Sequence, residues 1–227
     1  MRHIVIAVDG HSSCGKSTVA KAVAKKLGIA YIDTGAMYRA VTLYALRHGM
    51  VDGDTPNADA IAAKLDDINI SFRFDQEQGR NTTYLNGEDV EDEIRGMKVS
   101  GLVSPVSAIP AVRAKLTEWQ RAMGRDQSVI MDGRDIGTTV FPDADLKIFM
   151  TARPEVRARR RYDELRAKGQ EADLAEILHN VEERDRQDST RAVSPLRKAE
   201  DAIVLDNSDM TREEQFDFII DKVRGLK

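Results

Sequence analysis

The stretch HIVIAVDGHSSCGKSTVAKAVAKKLG, residues 3–28, decides the fold because a glycine-rich loop joins a strand pattern to a helix pattern. The run before Gly10 is short, β-branched and apolar on both faces, which is typical of a strand buried inside a parallel sheet. After the loop, apolar residues recur at helical spacing opposite a face of lysines, and Gly28 is the predicted end of the helix.

The loop itself fits the pattern G-x-x-x-x-G-K-[ST] and lies between the strand and the helix, as a phosphate-binding loop requires. Its backbone N–H groups and the helix N-terminus favour phosphate oxygens, and we expect Lys16 to reach the β- and γ-phosphates and Ser17 to hold Mg²⁺. We interpret His11 and Cys14 as loop filler rather than as a ligand or a nucleophile. The predicted ATP-binding residues are Gly10, His11, Ser12, Ser13, Cys14, Gly15, Lys16, Ser17 and Thr18.

Strand and helix patterns alternate through the rest of the chain. Further buried strands are predicted at residues 30–32, 128–133, 145–152 and 201–208, with helices over 36–48 and from about Thr211. This order predicts an α/β fold with a doubly wound, five-stranded parallel sheet. Between Ile68 and Gly87 the pattern instead alternates with period two around the polar segment DQEQGRN, which predicts a small antiparallel insertion.

Composition narrows the possible classes of protein. The 227 residues are 41% hydrophobic and 32% charged, which predicts one or at most two compact domains. A net charge of -4 argues against a protein that coats a nucleic acid polymer, and the single cysteine excludes disulfides and multi-cysteine metal sites. The apolar run from Ile4 to Val8 is too short for a signal peptide or a membrane span, so we expect a cytoplasmic soluble protein without membrane association.

A phosphate loop alone is compatible with a switch, a motor or a kinase. The guanine-reading tetrapeptide N-K-x-D is absent from the sequence, and a motor would need a longer chain or partner domains. The decisive question is therefore what binds beside the triphosphate.

Arginines in the second half of the chain indicate a second anionic ligand. In LAEILHNVEERDRQDSTR, residues 174–191, the apolar stripe of a helix continues into Arg184, Asp188 and Arg191. These charged groups either satisfy one another, line a cavity with a polar ligand, or form a solvated helix end. A cluster of arginines over 153–161 and the turn GRDIG at a strand's carboxyl end favour a phosphoryl-transfer site.

Together, the loop and the segments DTGAMYR, SPVSAIPAVR, DGRDIGTTVFPDADLKIF and ERDRQDSTRAVSPL closely resemble the bacterial cytidylate kinases, a branch of the nucleoside monophosphate kinases. The resemblance covers essentially the whole chain. It implies a P-loop core over 1–33 and 99–227, including a lid over about 153–170. It also implies an NMP-binding region over 34–98 with the antiparallel insertion at about 68–87.

The resemblance also assigns residues to ligands. It implies that Arg39 binds the acceptor phosphate and that Asp135 accepts a hydrogen bond from the exocyclic amine of cytosine, which uracil lacks. It implies a catalytic set of Lys16, Arg134, Arg184 and Arg191, and adds Arg157 of the lid to the ATP contacts. The implied CMP-binding residues are Thr34, Arg39, Ser104, Arg113, Arg134, Asp135, Arg184, Asp188 and Arg191.

The resemblance therefore implies Mg²⁺-dependent transfer of the γ-phosphoryl group of ATP to CMP or dCMP by a monomer. The family loop usually has proline at position 11 and small residues at 13 and 14, so His11, Ser13 and Cys14 could alter loop flexibility and oxidation sensitivity. The alternatives are a kinase for UMP, AMP or shikimate, and a switch that binds nucleotides without transfer.

Overall fold

The computed structural model describes residues 3–75 and 80–226, without the side chains of residues 74, 75, 80 and 81. The strands are β1 (Val5–Gly10), β2 (Ala30–Asp33), β3 (Val51–Asp52), β4 (Thr55–Pro56), β5 (Ile70–Asp75), β6 (Arg80–Leu85), β7 (Glu88–Asp89), β8 (Val129–Gly133), β9 (Leu146–Thr151) and β10 (Ile203–Asp206). The helices are α1 (Lys16–Leu27), α2 (Thr34–Arg47), α3 (Ala58–Ala63), α4 (Met97–Ser107), α5 (Pro110–Arg125), α6 (Pro154–Ala167), α7 (Leu174–Thr190) and α8 (Arg212–Arg224). Short 3₁₀ turns lie at Leu65–Asp67 and Glu93–Arg95, and a π turn at Ile136–Val140.

The chain forms two compact units, one of residues up to 33 together with those from 120 on, and one of residues 34–119. The boundary at which the chain returns from the second unit to the first lies between residues 119 and 120, within α5. The sequence expectation places this boundary between residues 98 and 99, inside α4. That expectation concerns functional domains, including the lid, and stays a prediction.

The first unit is built on a parallel sheet with the strand order β10-β9-β1-β8-β2. Its central strand, β1, is buried along its whole length, because β8 and β9 flank it and helices cover its faces. The predicted five-stranded parallel sheet is confirmed for the described residues, with strand bounds within about two residues of those expected. The carboxyl ends of the strands meet at one edge, where β1 enters the phosphate loop.

Helix ends in this unit follow the sequence signals. Gly28 ends α1 with a left-handed φ of 65°, and Ile29 N donates to Ala24 O at 3.1 Å. Thr211 caps α8 through a reciprocal pair of hydrogen bonds with Glu214. Helices α1 and α8 pack against each other and on the sheet, and α6 packs along α7.

The second unit contains the predicted antiparallel insertion. Strand β5 pairs with β6, and β6 pairs with β7, in antiparallel register. Residues 76–79 of the expected polar turn lie outside the described residues. Helix α2 begins at Thr34, two residues before the predicted start, because the chain enters it directly from β2.

Across residues 3–75 and 80–226, no helix combines the length and the apolar composition that a membrane span requires.

Candidate active site around the phosphate loop

The phosphate loop begins where two central strands approach closely. At Gly10, φ is 150° and an added Cβ would lie 2.0 Å from the backbone oxygen of Met150 in β9. A side chain at this position would therefore force the strands apart. The loop then turns through Ser13, whose φ is 58°, and Gly15, before α1 begins at Lys16.

Lys16 is buried against the loop that precedes it. Its Nζ donates to His11 O at 2.6 Å and lies 3.7 Å from Cys14 Sγ. Burial lowers the pKa of Lys16, and the charge of Arg134 acts in the same direction. The structure therefore concentrates positive charge at the mouth of the loop, which favours an anionic ligand.

Cys14 and His11 are held by packing and backbone contacts. The buried Cys14 thiol donates to His11 O at 3.0 Å and to Met150 O at 3.7 Å. The His11 ring meets Phe149 edge-on at 5.9 Å, and burial lowers the pKa of His11 although Asp185 opposes this shift. The interpretation of both side chains as loop filler, rather than as a ligand or a nucleophile, stays a prediction.

Asn207 supports the loop from the end of β10, and the sequence analysis did not identify it. Its Nδ2 donates to Cys14 O and to Gln215 Oε1, both at 2.7 Å, and its Oδ1 accepts from Arg160 at 2.9 Å. The side chain is fully buried. The available signal was an amide directly after an apolar strand pattern, at the sheet edge where the loop begins.

The buried carboxylates of Asp132 in β8 and Asp33 in β2 lie side by side near the carboxyl ends of these two strands. Asp132 accepts from Ser17 Oγ at 3.0 Å and from Tyr31 Oη at 2.7 Å. Burial, reinforced by the nearby charge of Asp33, raises the pKa of Asp132 to about 6. Burial and Asp132 also raise the pKa of Tyr31 well above its ordinary value, so its hydroxyl keeps its proton and donates.

Asp9 holds the turn that carries the GRDIG segment. Its two carboxylate oxygens accept from the backbone N–H groups of Ile136 and Gly137, each at 2.7 Å. Burial raises the pKa of Asp9 to about 6, although these hydrogen bonds oppose the shift. This clamp fixes the π turn directly after Arg134 and Asp135.

The charged residues predicted from α7 meet those of the GRDIG segment. Asp188 pairs with Arg134 at 2.8 Å and lies 3.9 Å from Arg191, whose guanidinium is 3.7 Å from Asp135. Burial raises the pKa of Asp188, but the charges of Arg134, Arg184 and Arg191 outweigh it and lower this pKa below its ordinary value. The arginines and carboxylates therefore satisfy one another in part, one of the alternatives that the sequence left open.

Arg184 is a further buried cation of this group. Burial together with the charge of Arg134 lowers its pKa to about 10. An anion placed beside Arg184 and Arg134 would oppose this lowering of the Arg184 pKa, because its negative charge would compensate two buried positive charges.

Arg157 of α6 contacts both α7 and the phosphate loop. Its guanidinium pairs with Asp185 at 2.5 Å, and it also donates to Ala152 O at 2.9 Å and to Ser12 O at 3.3 Å. The pair is almost fully buried on the arginine side. Arg157 thus ties α6 and α7 to the phosphate loop.

The other predicted acceptor residues lie in the second unit. Arg39 donates from Nη1 to Ile94 O at 2.9 Å and from Nη2 to Ser100 Oγ at 3.4 Å. Arg113 donates to Ser107 O at 3.3 Å, and its guanidinium carbon lies 5.3 Å from the centroid of the Tyr38 ring. Thr34 and Ser104 are buried at the start of α2 and within α4.

The structure thus brings together, within the first unit, the predicted residues of the loop, of GRDIG and of α7. The ligand assigned to each of these residues stays a prediction. In the described part of the chain no three His, Cys, Asp or Glu side chains are grouped as a metal site. The oxygen atoms of Ser17 and Asp132 are instead a small donor set next to the phosphate loop.

Comparison with known proteins gives one consistent family. A family model described as cytidylate kinase matches residues 6–225. A cytidylate kinase of Bacteroides fragilis is 58% identical over 97% of this chain and 96% of its own length. A cytidylate kinase of Parabacteroides distasonis is 58% identical over 98% of this chain and 97% of its own length. Among solved structures, an uncharacterised protein of Eubacterium ventriosum matches 98% of this chain and 99% of its own with a TM-score of 0.51 at 13% identity, which shows a shared fold.

Proposed function

Because the chain belongs to the cytidylate kinase family and is a phosphotransferase acting on CMP, we propose that it takes the phosphoryl group from ATP bound at residues 10–18. The observation that carries this assignment is the position of Lys16. Its ammonium lies at the mouth of a glycine-rich loop, at the carboxyl edge of the sheet, in the unit that also contains the arginines of GRDIG and α7. A triphosphate at this loop would place its γ-phosphoryl group among cations.

The proposed transfer depends on alignment and charge compensation. The atom of CMP that receives the phosphoryl group is already an anionic phosphate oxygen, so no general base is needed to activate it. No covalent intermediate with the protein is expected. Lys16, Arg134, Arg184 and Arg191 would compensate the charge that spreads over the transferring group. Burial lowers the pKa of Arg184, and a bound anion beside it would favour its positively charged form.

Magnesium is the proposed cofactor, and the donor set fits it. Mg²⁺ prefers oxygen ligands and is usually held by one or two protein groups together with substrate phosphates. Ser17 Oγ and the Asp132 carboxylate supply such oxygens 3.0 Å apart, and Asp132 balances the positive charge. When bound by these residues, the ion would neutralise negative charge on the phosphates.

The proposed CMP contacts follow the family resemblance. In the first unit they are Arg134, Asp135, Arg184, Asp188 and Arg191, and in the second they are Thr34, Arg39, Ser104 and Arg113. The buried Asp135 carboxylate is suited to accept from the amino group of cytosine, which uracil replaces with a carbonyl oxygen. We expect dCMP to be accepted as well as CMP.

An acceptor profile under saturating MgATP tests the assignment. ADP release is measured with CMP, dCMP, UMP, AMP and shikimate, and we expect CMP and dCMP to have the highest kcat/KM. A preference for another acceptor would refute the substrate, and tight binding of both nucleotides without ADP release would favour a switch. The family assignment favours neither alternative. A monomeric state, a cytoplasmic location and the absence of a nucleic acid partner remain predictions.

A further inference from the structure

Tyr31 contacts the proposed metal site from the edge strand of the sheet. It lies in β2, and its hydroxyl donates to Asp132 Oδ1 at 2.7 Å. The other carboxylate oxygen, Oδ2, accepts from Ser17 Oγ at 3.0 Å. The two oxygens of one buried carboxylate are thus divided between Tyr31 and Ser17.

The surroundings of Asp132 show why a neutral donor matters there. Asp33 is paired in register with Asp132 across β2 and β8, and its negative charge acts on the same carboxylate. An arginine or lysine in place of Tyr31 would fix the carboxylate but would also repel a divalent cation. A phenol orients the carboxylate through a hydrogen bond and leaves its charge available to the cation.

The ring that carries this hydroxyl packs against other side chains. Lys21, one turn after Ser17 in α1, places its Nζ 5.5 Å from the centroid of the Tyr31 ring. Tyr31 is partly buried and packs against the hydrophobic core of the first unit, which limits the movement of its ring. Packing alone would need only the ring, whereas the contact with Asp132 needs the hydroxyl.

We propose that Tyr31 is a positioning residue for the divalent cation, whose hydroxyl holds one oxygen of Asp132 so that the other faces Ser17 and the cation. This inference rests on the proposed magnesium position at Ser17 and Asp132. Tyr31 acts through Asp132 and itself binds neither the metal nor a nucleotide. Hydrogen-bond partners of metal ligands typically change metal affinity by about 10- to 100-fold when removed.

The test measures metal binding directly. Mn²⁺ replaces Mg²⁺ because free Mn²⁺ is quantified by electron paramagnetic resonance, and the dissociation constant of Mn²⁺ is determined for the complex of the enzyme with ADP. We expect Tyr31→Phe to weaken Mn²⁺ by about 10- to 100-fold. The affinity for CMP should stay close to that of the wild type, whereas the thermal midpoint of the metal-free protein should fall by roughly 3–12 °C, because a buried carboxylate loses a hydrogen-bond donor.

Tyr84→Phe is the matched control, because it deletes the same hydroxyl from a partly buried tyrosine in β6, where the ring packs on Arg73. We expect it to leave the Mn²⁺ affinity unchanged. Asp132→Asn and the double variant with Tyr31→Phe complete a cycle, and the phosphates of ADP keep residual binding measurable. If Tyr31 acts through Asp132, adding Tyr31→Phe to Asp132→Asn should change the Mn²⁺ affinity by less than about threefold.

Three results would overturn the proposal: wild-type Mn²⁺ affinity in Tyr31→Phe, a full additive loss in the double variant, or a loss of CMP affinity parallel to that of Mn²⁺. The proposed metal position is tested separately by Ser17→Ala. If Ser17→Ala and Asp132→Asn both bind Mn²⁺ like the wild type, the metal position is wrong and the role of Tyr31 is wrong with it. If they weaken Mn²⁺ and Tyr31→Phe does not, only the role of Tyr31 is refuted.

Discussion

The substitution Gly10→Ala tests the claim that close strand approach, and not chain flexibility, requires glycine at the start of the loop. The added Cβ would lie 2.0 Å from Met150 O, about 1 Å inside the closest contact that real Cβ atoms make. The nearest atom is backbone of a central strand, so no flexible side chain can move aside. Either β1 or β9 must shift, and both are paired within the sheet.

Two costs add at this position. A non-glycine residue at positive φ costs roughly 1–2 kcal/mol, and overpacking in a buried region costs roughly 1–3 kcal/mol. We therefore expect Gly10→Ala to lower the free energy of unfolding by about 2–5 kcal/mol. For a chain of this size, this lowers the thermal midpoint by roughly 4–20 °C.

Gly28→Ala separates the two costs. Gly28 also has a positive φ, 65°, but an added Cβ would meet nothing within 4 Å. Only the backbone cost of roughly 1–2 kcal/mol applies there. Differential scanning calorimetry of both variants without ligand measures the difference, and equal thermal midpoints for the two variants would refute the steric argument.

Three further predictions concern charged groups. Arg157→Ala should lower the free energy of unfolding by about 3–5 kcal/mol because it breaks a buried ion pair, whereas Arg153→Ala removes an exposed pair and should leave the thermal midpoint nearly unchanged. Relative to the wild type, Asp9→Asn should gain about 2.4 kcal/mol of stability as the pH rises from 4 to 7.5, measured by thermal unfolding at each pH. The reason is that the native pKa of Asp9, about 6, lies above the ordinary value of an aspartate, 3.8, so deprotonation disfavours the native state. Arg39→Ala should weaken CMP by roughly 10- to 100-fold in calorimetric titration and leave ATP affinity nearly unchanged.

Each of these expectations has a contrary result. Similar thermal midpoints for Arg157→Ala and Arg153→Ala would show that burial does not distinguish the two pairs. A difference between Asp9→Asn and the wild type that is independent of pH would contradict the raised pKa, because the lost hydrogen bond contributes only a constant offset. Equal weakening of CMP and ATP in Arg39→Ala would remove its assignment to the acceptor phosphate.

The sequence by itself determined the local elements and the kind of loop that joins them. The strand over 4–8, the glycine-lysine motif and the apolar helix stripe are local patterns, because backbone hydrogen bonding and side-chain periodicity depend on neighbouring residues. The order of strands and helices then predicted the parallel sheet, because right-handed crossovers leave few arrangements open. The sequence segments that contain Arg134 and Asp188 carried the resemblance to the family.

Only the tertiary structure decided which charged groups meet. Asp132 lies 101 positions from Tyr31, and Asn207 lies 193 positions from the Cys14 carbonyl that it binds. No periodicity connects residues so far apart, because their contact depends on which strands become neighbours and in what register. The contacts of Asp9 also depend on the tertiary structure, because in the sequence this residue only marks the end of an apolar strand pattern. In the fold it fixes a turn 127 residues away, because β1 and β8 lie side by side with their carboxyl ends at one edge.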